Sequence, residues 1–114
     1  MELSIATREV GEAVVVEVGG EVDVYTAPAL DEVLTGVVAE GRSPLVVDLT
    51  AVDFLDSTGL GVLVKALKRI REHDGRLAVV ATSERIAKIF RITGLDAAMG
   101  LVESVDAALA APAS

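Results

Sequence analysis

Two short apolar segments constrain the fold of this chain more than any other feature of its sequence. Residues 45–49 read Leu-Val-Val-Asp-Leu, and residues 77–81 read Leu-Ala-Val-Val-Ala. Nearly continuous apolar segments of this length are typical of strands that are buried on both faces, as in a parallel sheet. Between them lies the apolar spacing of an amphipathic helix, with one face formed by Leu60, Leu63, Val64, Leu67 and Ile70. A strand, a helix and a second strand in this order predict a crossover unit of an α/β fold.

The start of the chain predicts an antiparallel hairpin followed by another helix. Residues 3–8 alternate roughly between apolar and polar, residues 13–18 are mostly β-branched, and Gly11 separates the two segments. Thr26 is the expected N-cap of the first helix, which Gly41 ends. The hairpin is therefore expected to add an antiparallel edge to the sheet.

The end of the chain predicts two further helices. Ser83 caps one of them, residues 101–102 form a short last strand, and residues 105–111 form a terminal helix. We expect a single α/β domain over residues 1–114, with a mostly parallel sheet of roughly four to five strands, an N-terminal antiparallel hairpin and about four helices. Residues 110–114 are expected to be a frayed tail.

Composition disfavours several classes of function. The chain has 114 residues, no Cys and a single His, so no metal site is expected. Neither a P-loop nor a dinucleotide-binding motif is present, so no cofactor is expected. A formal net charge of -8 disfavours direct binding to nucleic acid or to an anionic membrane. The first residues do not resemble a signal peptide and no segment is apolar enough to span a bilayer, so a cytoplasmic location is expected.

The most informative segment lies at the predicted start of the second helix. It reads Asp56-Ser57-Thr58-Gly59 and follows the buried strand that begins at Leu45. Sites in open α/β sheets lie beyond the carboxyl ends of the strands, and free N–H groups at a helix start favour an anion. One interpretation is that Asp56 or Ser57 is an N-cap and nothing more. The other is that an accessible hydroxyl here takes a phosphate group, which would face those N–H groups.

Two glycines in this segment need an explanation of their own. Gly59 and Gly61 lie in the first turns of the predicted helix, where each costs roughly 1 kcal/mol of helix propensity. A simple cap requires neither of them, nor the second acid at Asp53. The glycines indicate that something approaches this backbone closely, and a tightly packed neighbouring strand would be sufficient.

Two blocks of the sequence resemble the STAS domain family. Residues 47–49 (Val-Asp-Leu), followed by residues 52–61 (Val-Asp-Phe-Leu-Asp-Ser-Thr-Gly-Leu-Gly), are similar to the signature of that family. Residues 20–23 (Gly-Glu-Val-Asp), followed by Thr26-Ala27, resemble its second recognisable block. The predicted order of strands and helices agrees along nearly the whole chain, which is identified as a single STAS-like domain. It is most similar to the bacterial anti-sigma-factor antagonists.

The resemblance implies a protein-binding switch and not an enzyme. In that family the unphosphorylated antagonist binds an anti-sigma factor that is also a serine kinase, and this frees a sigma factor. Phosphorylation of the Ser that follows the Asp releases the antagonist, and a Ser/Thr protein phosphatase resets it. Carried over by position, the phosphorylated residue is Ser57. The implied partner-binding residues are Asp23, Asp53, Asp56, Ser57, Thr58 and Gly59.

Other features of the switch follow from the same resemblance. The nucleotide belongs to the kinase, which again implies no cofactor in this chain. We expect a monomer because the sequence has no large exposed apolar stripe. The rival interpretation within the same fold is a non-switching STAS scaffold or a transport-associated interaction module.

Interpretations from other classes find less support. A hydrolase with Ser57 as nucleophile needs a base, and His73 falls roughly 24 Å away along the same helix. Asp48 as a phospho-accepting aspartate would need an acidic pair and a Lys that the sequence does not supply, and we expect Asp48 to accept hydrogen bonds within the Ser57 loop. The basic residues of the second helix form either a solvated face or a partner site, and they are Lys65, Lys68, Arg69 and Arg71.

Overall fold

The structure is a computed structural model that describes residues 2–110. The described chain forms four strands, which are β1 (Leu3–Val10), β2 (Ala13–Val22), β3 (Leu45–Leu55) and β4 (Leu77–Val80). It also forms four helices, which are α1 (Ala27–Ala39), α2 (Ser57–Glu72), α3 (Glu84–Ile92) and α4 (Val105–Ala110). Within residues 2–110 no helix combines the length and the apolar character that crossing a membrane requires.

The strands form one mixed sheet in the order β1-β2-β3-β4. β1 and β2 are an antiparallel hairpin, whereas β2 pairs with β3, and β3 with β4, in parallel. The predicted α/β class, hairpin and parallel sheet are therefore confirmed. The expected last strand is reduced to one bridge between Val80 and Val102, because Ser104 and the start of α4 follow almost at once.

The largest difference between the predicted and the observed elements is the length of β3. A strand over residues 45–49 followed by a loop was expected, but the strand continues to Leu55. The reason is that β2 is longer than expected as well, so Gly19–Val22 supplies partners for the second half of β3, with two register shifts on the way. As a result only Asp56 separates the end of β3 from the start of α2.

Alternation along the strands sorts the core onto two sides of the sheet. Val14, Val16 and Val18 of β2 belong to the larger core cluster, which packs against α1, α2 and α3. Val15 belongs to a smaller cluster, covered by Ala108 of α4. The larger cluster also contains the most bulky buried side chains of the helices, which are Leu30, Leu34, Leu63, Ile86 and Phe90.

Gly41 follows the end of α1 as the sequence predicts, and glycines also follow α2 and α3. Gly41 and Gly94 have positive φ angles after α1 and α3, as a helix-ending glycine does. After α2 the residue with positive φ is Asp74, and Gly75 instead donates its N–H to the carbonyl of Ile70 at 2.8 Å. Ala110 is the last residue of α4, and residues 111–114 lie outside the described part, so the frayed tail stays a prediction.

Candidate functional site at the start of α2

The site is built where β2 and β3 end side by side. Val22 and Leu55 are paired at the ends of the two strands, and the N–H of Asp56 donates to the carbonyl of Val22 at 3.2 Å. The turn that leads into α1 and the start of α2 therefore lie at the same edge of the sheet. This is the edge at which open α/β sheets carry their sites.

Asp56 is the N-cap of α2. Its backbone is extended, and its side-chain Oδ1 accepts a hydrogen bond from the N–H of Gly59 at 3.0 Å. Its carbonyl accepts from the N–H of Leu60 at 3.0 Å, which begins the helical pattern. The capping interpretation is therefore confirmed for Asp56, and Ser57 is left as the first residue of the helix.

Ser57 and Thr58 are both exposed on the first turn of α2. Among residues 2–110 neither hydroxyl has a hydrogen-bond partner that would fix it. The N–H groups of the first helical residues have no acceptor within a helix, and they give this end a partial positive charge. An accessible hydroxyl beside free N–H groups is chemically suited to carry a phosphate.

Gly59 is explained by packing beneath the site. A Cβ atom at this position would lie 2.6 Å from Cγ1 of Val22 and 2.7 Å from Cδ1 of Leu55, which is too close for any side chain. Glycine thus lets α2 start directly against the ends of β2 and β3. At Gly61, by contrast, a Cβ atom would meet nothing within 4 Å, so contacts inside the chain do not explain this glycine.

Asp23 is buried, with 5% of its surface exposed, and it organises the turn between β2 and α1. Its Oδ1 accepts from the N–H groups of Tyr25 at 2.9 Å and Thr26 at 3.0 Å, and from the Thr26 hydroxyl at 3.2 Å. Burial acts to raise the pKa of this carboxyl, but these hydrogen bonds outweigh it, so the pKa lies below its ordinary value. Its Oδ2 is buried and has no partner in the described part of the chain.

Thr26 precedes α1 at the expected N-cap position, but its side chain does not cap the helix. Its hydroxyl donates to the carbonyl of Glu21 at 2.8 Å and accepts from the N–H of Asp23 at 2.9 Å. The Thr26 side chain therefore fastens the turn that contains Asp23 to the end of β2.

Two other acids of the sequence motif have different surroundings. Asp53 is exposed in the last part of β3. Asp48 lies earlier in the same strand, and its Oδ1 accepts from the N–H of Thr50 at 3.0 Å and from the Thr50 hydroxyl. The expectation that Asp48 binds within the Ser57 loop is wrong, because the extension of β3 separates it from α2.

The basic residues of α2 are divided between two roles. Lys65 forms an ion pair with Asp31 of α1 at 2.9 Å, and Arg69 donates to the hydroxyl of Thr35 at 3.1 Å. The hydrogen bond from Lys65 is the main reason that the pKa of Asp31 lies below its ordinary value. Lys68 remains exposed, so the helix combines contacts to α1 with a solvated face.

Sequence reasoning missed one feature of the edge. Val24, Tyr25 and Phe54 are large apolar side chains that are about half or more exposed. The available signal was that Tyr25 and Phe54 are two of only three aromatic residues, with Phe54 inside one motif block and Tyr25 between the two parts of the other.

The comparisons with known proteins agree with this architecture. The STAS domain model matches residues 4–108, and the chain belongs to the STAS domain family. The anti-sigma-B factor antagonist of Staphylococcus aureus (strain NCTC 8325 / PS 47) is 42% identical over 106 residues, which are 93% of this chain and 98% of that protein.

Solved structures show the same fold. The crystal structure of an anti-sigma factor antagonist from Mycobacterium paratuberculosis has a TM-score of 0.88 at 35% identity, and the match covers 95% of this chain and 92% of that one. The Bacillus cell fate determinant SpoIIAA in its phosphorylated form has a TM-score of 0.74 at 18% identity, over 93% of this chain and 96% of that one. At that identity the second likeness concerns the fold alone.

Proposed function

We propose that this chain is a cytoplasmic anti-sigma factor antagonist whose binding is switched by phosphorylation of Ser57. The unphosphorylated chain binds an anti-sigma factor that is also a serine kinase, and a sigma factor is released. A Ser/Thr protein phosphatase restores the unphosphorylated form. The chain acts by binding and not by catalysis, and the nucleotide is bound by the kinase. Support comes from the related proteins, which are named as antagonists of an anti-sigma factor.

The observation that carries the proposal is that Asp56, and not Ser57, caps α2. Asp56 caps α2 through the N–H of Gly59, so the Ser57 hydroxyl is not needed for the cap. Ser57 is exposed as the first residue of the helix. A kinase can therefore reach this hydroxyl without unfolding the helix, which is what a reversible switch requires.

The six motif residues divide into two groups under this proposal. Ser57, Thr58 and Asp53 are exposed and contact the partner directly. The others shape the surface from below: Asp56 by its cap, Gly59 by close packing on β2 and β3, and Asp23 by the hydrogen bonds of its turn. Loss of a residue in the second group affects stability as well as binding.

Electrostatics accounts for release. The kinase transfers the γ-phosphoryl group of ATP to Oγ of Ser57: the bond to the β-phosphate breaks, ADP leaves, and the hydroxyl proton is released. The product carries a charge of about −1.5 to −2 at neutral pH, next to Asp56 on a chain whose net charge is already -8. An interface matched to a neutral hydroxyl then faces a solvated dianion, and like-charge contacts at interfaces cost several kcal/mol.

The free N–H groups of α2 stabilise the phosphate where it forms, so release does not need a rearrangement of the fold. We expect phosphorylation to shift backbone NMR resonances near Ser57 and in the neighbouring Asp23 turn only. Shifts spread through α3 and β4 would contradict a local mechanism.

The experiment that tests the proposal is a calorimetric titration of the purified anti-sigma factor of the same organism. The titrants are the wild-type chain, Ser57→Ala and Ser57→Glu, with Thr7→Glu as the matched control, which adds the same charge at an exposed hydroxyl of β1. We expect Ser57→Ala and Thr7→Glu to bind within about threefold of wild type, and Ser57→Glu to bind at least about 30-fold more weakly. Equal affinity of all four proteins would favour a non-switching STAS scaffold or a transport-associated module.

A further inference from the structure

Three of the four large apolar side chains that are exposed among residues 2–110 lie at the edge that carries Ser57. Tyr25 is 84% exposed, Val24 56% and Phe54 47%. Tyr25 and Phe54 are two of the three aromatic residues of the chain, and the third, Phe90, is fully buried. Single exposed apolar residues are common, but two of three aromatics at the end of adjacent strands indicate an interaction surface.

The backbone that carries Tyr25 is held in place. The N–H of Tyr25 donates to Oδ1 of Asp23 at 2.9 Å, and the N–H of Ala27 donates to the Asp23 carbonyl at 2.8 Å. Thr26 ties the same turn to the carbonyl of Glu21 at 2.8 Å. An aromatic side chain on a fixed turn loses little conformational entropy on binding, since a Tyr has only two side-chain torsions to order.

The charges at the ends of β2 and β3 have one sign. Residues 20–31, around the end of β2 and the start of α1, and residues 52–64, around the end of β3 and the start of α2, contain no Lys or Arg. Asp53 is exposed there, and Glu21 and Asp56 are half-buried. The complementary surface is an apolar pocket bordered by Lys or Arg side chains. A second copy of the chain would bring the same acids to a symmetric contact at this edge, so like charges oppose that arrangement.

We propose that Tyr25 is the apolar anchor by which the chain holds its anti-sigma factor, with Val24 and Phe54 as flanking contacts. Its ring enters an apolar pocket bordered by basic residues on that partner. This inference rests on the proposed function and adds the source of affinity to it. The anchor makes the largest single contribution to the affinity, and phosphorylation of Ser57 at the same edge controls it.

Binding of the purified anti-sigma factor of the same organism tests the anchor. Tyr25→Ala is expected to weaken binding about 30-fold, which is about 2 kcal/mol, because truncation of a central interface aromatic is this costly. Phe54→Ala is expected to weaken it about fivefold, and Tyr25→Phe to retain most of the affinity. The matched control is Ile92→Ala, since Ile92 is 72% exposed at the end of α3, and we expect its affinity to stay within twofold of wild type.

Binding kinetics distinguish the role of Tyr25 from that of the exposed acid Asp53. We expect Tyr25→Ala to act mainly by raising the dissociation rate constant. We expect Asp53→Asn to lower the association rate constant and to weaken its dependence on salt, because border charges steer the encounter. Tyr25 is so exposed that its variants should unfold at the wild-type temperature, which a thermal scan verifies.

The outcomes distinguish this inference from the proposed function. If Ser57→Glu abolishes binding but Tyr25→Ala binds within twofold of wild type, the anchor is wrong and the switch stands. If Tyr25→Ala changes only the sedimentation of the free chain and not its affinity for the partner, the exposed residues mediate self-association and the inference is overturned. If the wild-type chain does not bind the anti-sigma factor, both proposals are wrong.

Discussion

The two ends of the parallel strands use their polar side chains in different ways. At the end where β3 begins, Arg42 donates to the carbonyl of Gly11 at 2.6 Å and pairs with Glu9 at 2.8 Å, which joins the loop after α1 to the β1–β2 hairpin. Ser43 accepts from the N–H of Arg76 at 2.9 Å and joins that loop to the start of β4. Here the side chains connect segments that are distant in the sequence.

At the end where β2 and β3 finish, the acidic side chain of each turn binds N–H groups of the same turn. Asp23 binds the N–H groups of Tyr25 and Thr26, and Asp56 binds the N–H of Gly59. The hydroxyl of Ser57 and the ring of Tyr25 are left exposed. One end therefore joins distant segments of the chain, whereas the other has turns fixed by hydrogen bonds and leaves Ser57 and Tyr25 exposed, which suits the proposed binding surface.

The largest stability effect is expected beneath the proposed binding surface, at Gly59. Gly59→Val would place Cβ 2.6 Å from Val22 and is expected to lower the free energy of unfolding by about 3 kcal/mol, because α2 must move away from both strands. Chemical denaturation measures the change. A loss below about 1 kcal/mol would show that the helix start yields easily and that the surface is not rigid.

The next effect is expected at the opposite end. Arg42→Ala removes the hydrogen bond to Gly11 and the pair with Glu9, and we expect it to lower the free energy of unfolding by about 1.5 kcal/mol. Arg85→Ala on the exposed face of α3 is the control and should cost less than about 0.5 kcal/mol. Both variants should bind the anti-sigma factor as wild type does, and a binding defect in Arg42→Ala would break the contrast between the two ends.

A smaller loss of stability is expected for substitution of Asp56, and almost none for substitution of Ser57. Asp56→Ala removes the N-cap of α2 and is expected to cost about 1 kcal/mol of stability, whereas Asp56→Ser restores part of the cap. Ser57→Ala is expected to change stability by less than about 0.5 kcal/mol. The same denaturation experiment tests both, and a larger loss for Ser57→Ala than for Asp56→Ala would assign the cap to Ser57 after all.

The pH dependence of stability tests the turn at Asp23. Because the pKa of Asp23 is lower in the folded chain, its contribution is complete above the unfolded pKa of about 3.9 and is lost as the pH falls through the folded pKa. The free energy of unfolding of wild type should therefore fall more steeply in this acidic window than that of Asp23→Asn. Parallel curves for the two proteins would contradict the hydrogen-bonded role of the carboxylate.

The smallest effect is expected at Gly61, and it has the opposite sign. A Cβ atom there meets nothing within 4 Å, so Gly61→Ala should raise the free energy of unfolding by about 0.5 to 1 kcal/mol through helix propensity alone. Chemical denaturation of Gly61→Ala and of Gly59→Val compares the effects of the two substitutions within one helix turn. A loss of stability would mean that Gly61 packs inside the chain as Gly59 does.

Sequence patterns were sufficient for the elements with strong periodicity. The buried segments beginning at Leu45 and Leu77 are neighbouring parallel strands, and the helix between them follows Asp56, one of the two residues that the sequence offered as its cap. The extension of β3 was not predictable from its own residues, since it depends on the hydrogen bonds that a longer β2 supplies. The same extension explains why Asp48 is distant from the start of α2.

The candidate site was predictable in its residues but less so in its arrangement. The sequence does not show whether a glycine in the first turn is packed against a neighbour or exposed. Gly59 differs from Gly61 because Val22 and Leu55 lie directly against it in the folded chain. Exposure of Tyr25 depends likewise on how the Asp23 turn folds. Local residue types therefore identified the segment, and tertiary contacts decided which of its residues are packed inside and which are exposed.

Control of binding by phosphorylation of Ser57 can be measured on the phosphorylated chain itself. The chain is phosphorylated with the anti-sigma factor kinase and ATP, the site is verified by mass spectrometry, and affinity for the anti-sigma factor is compared with that of the unmodified chain. We expect phosphorylation to weaken binding about 100-fold or more, which is about 2.8 kcal/mol, and a Ser/Thr phosphatase to restore the affinity. Equal affinity of a chain fully phosphorylated at Ser57 would contradict it.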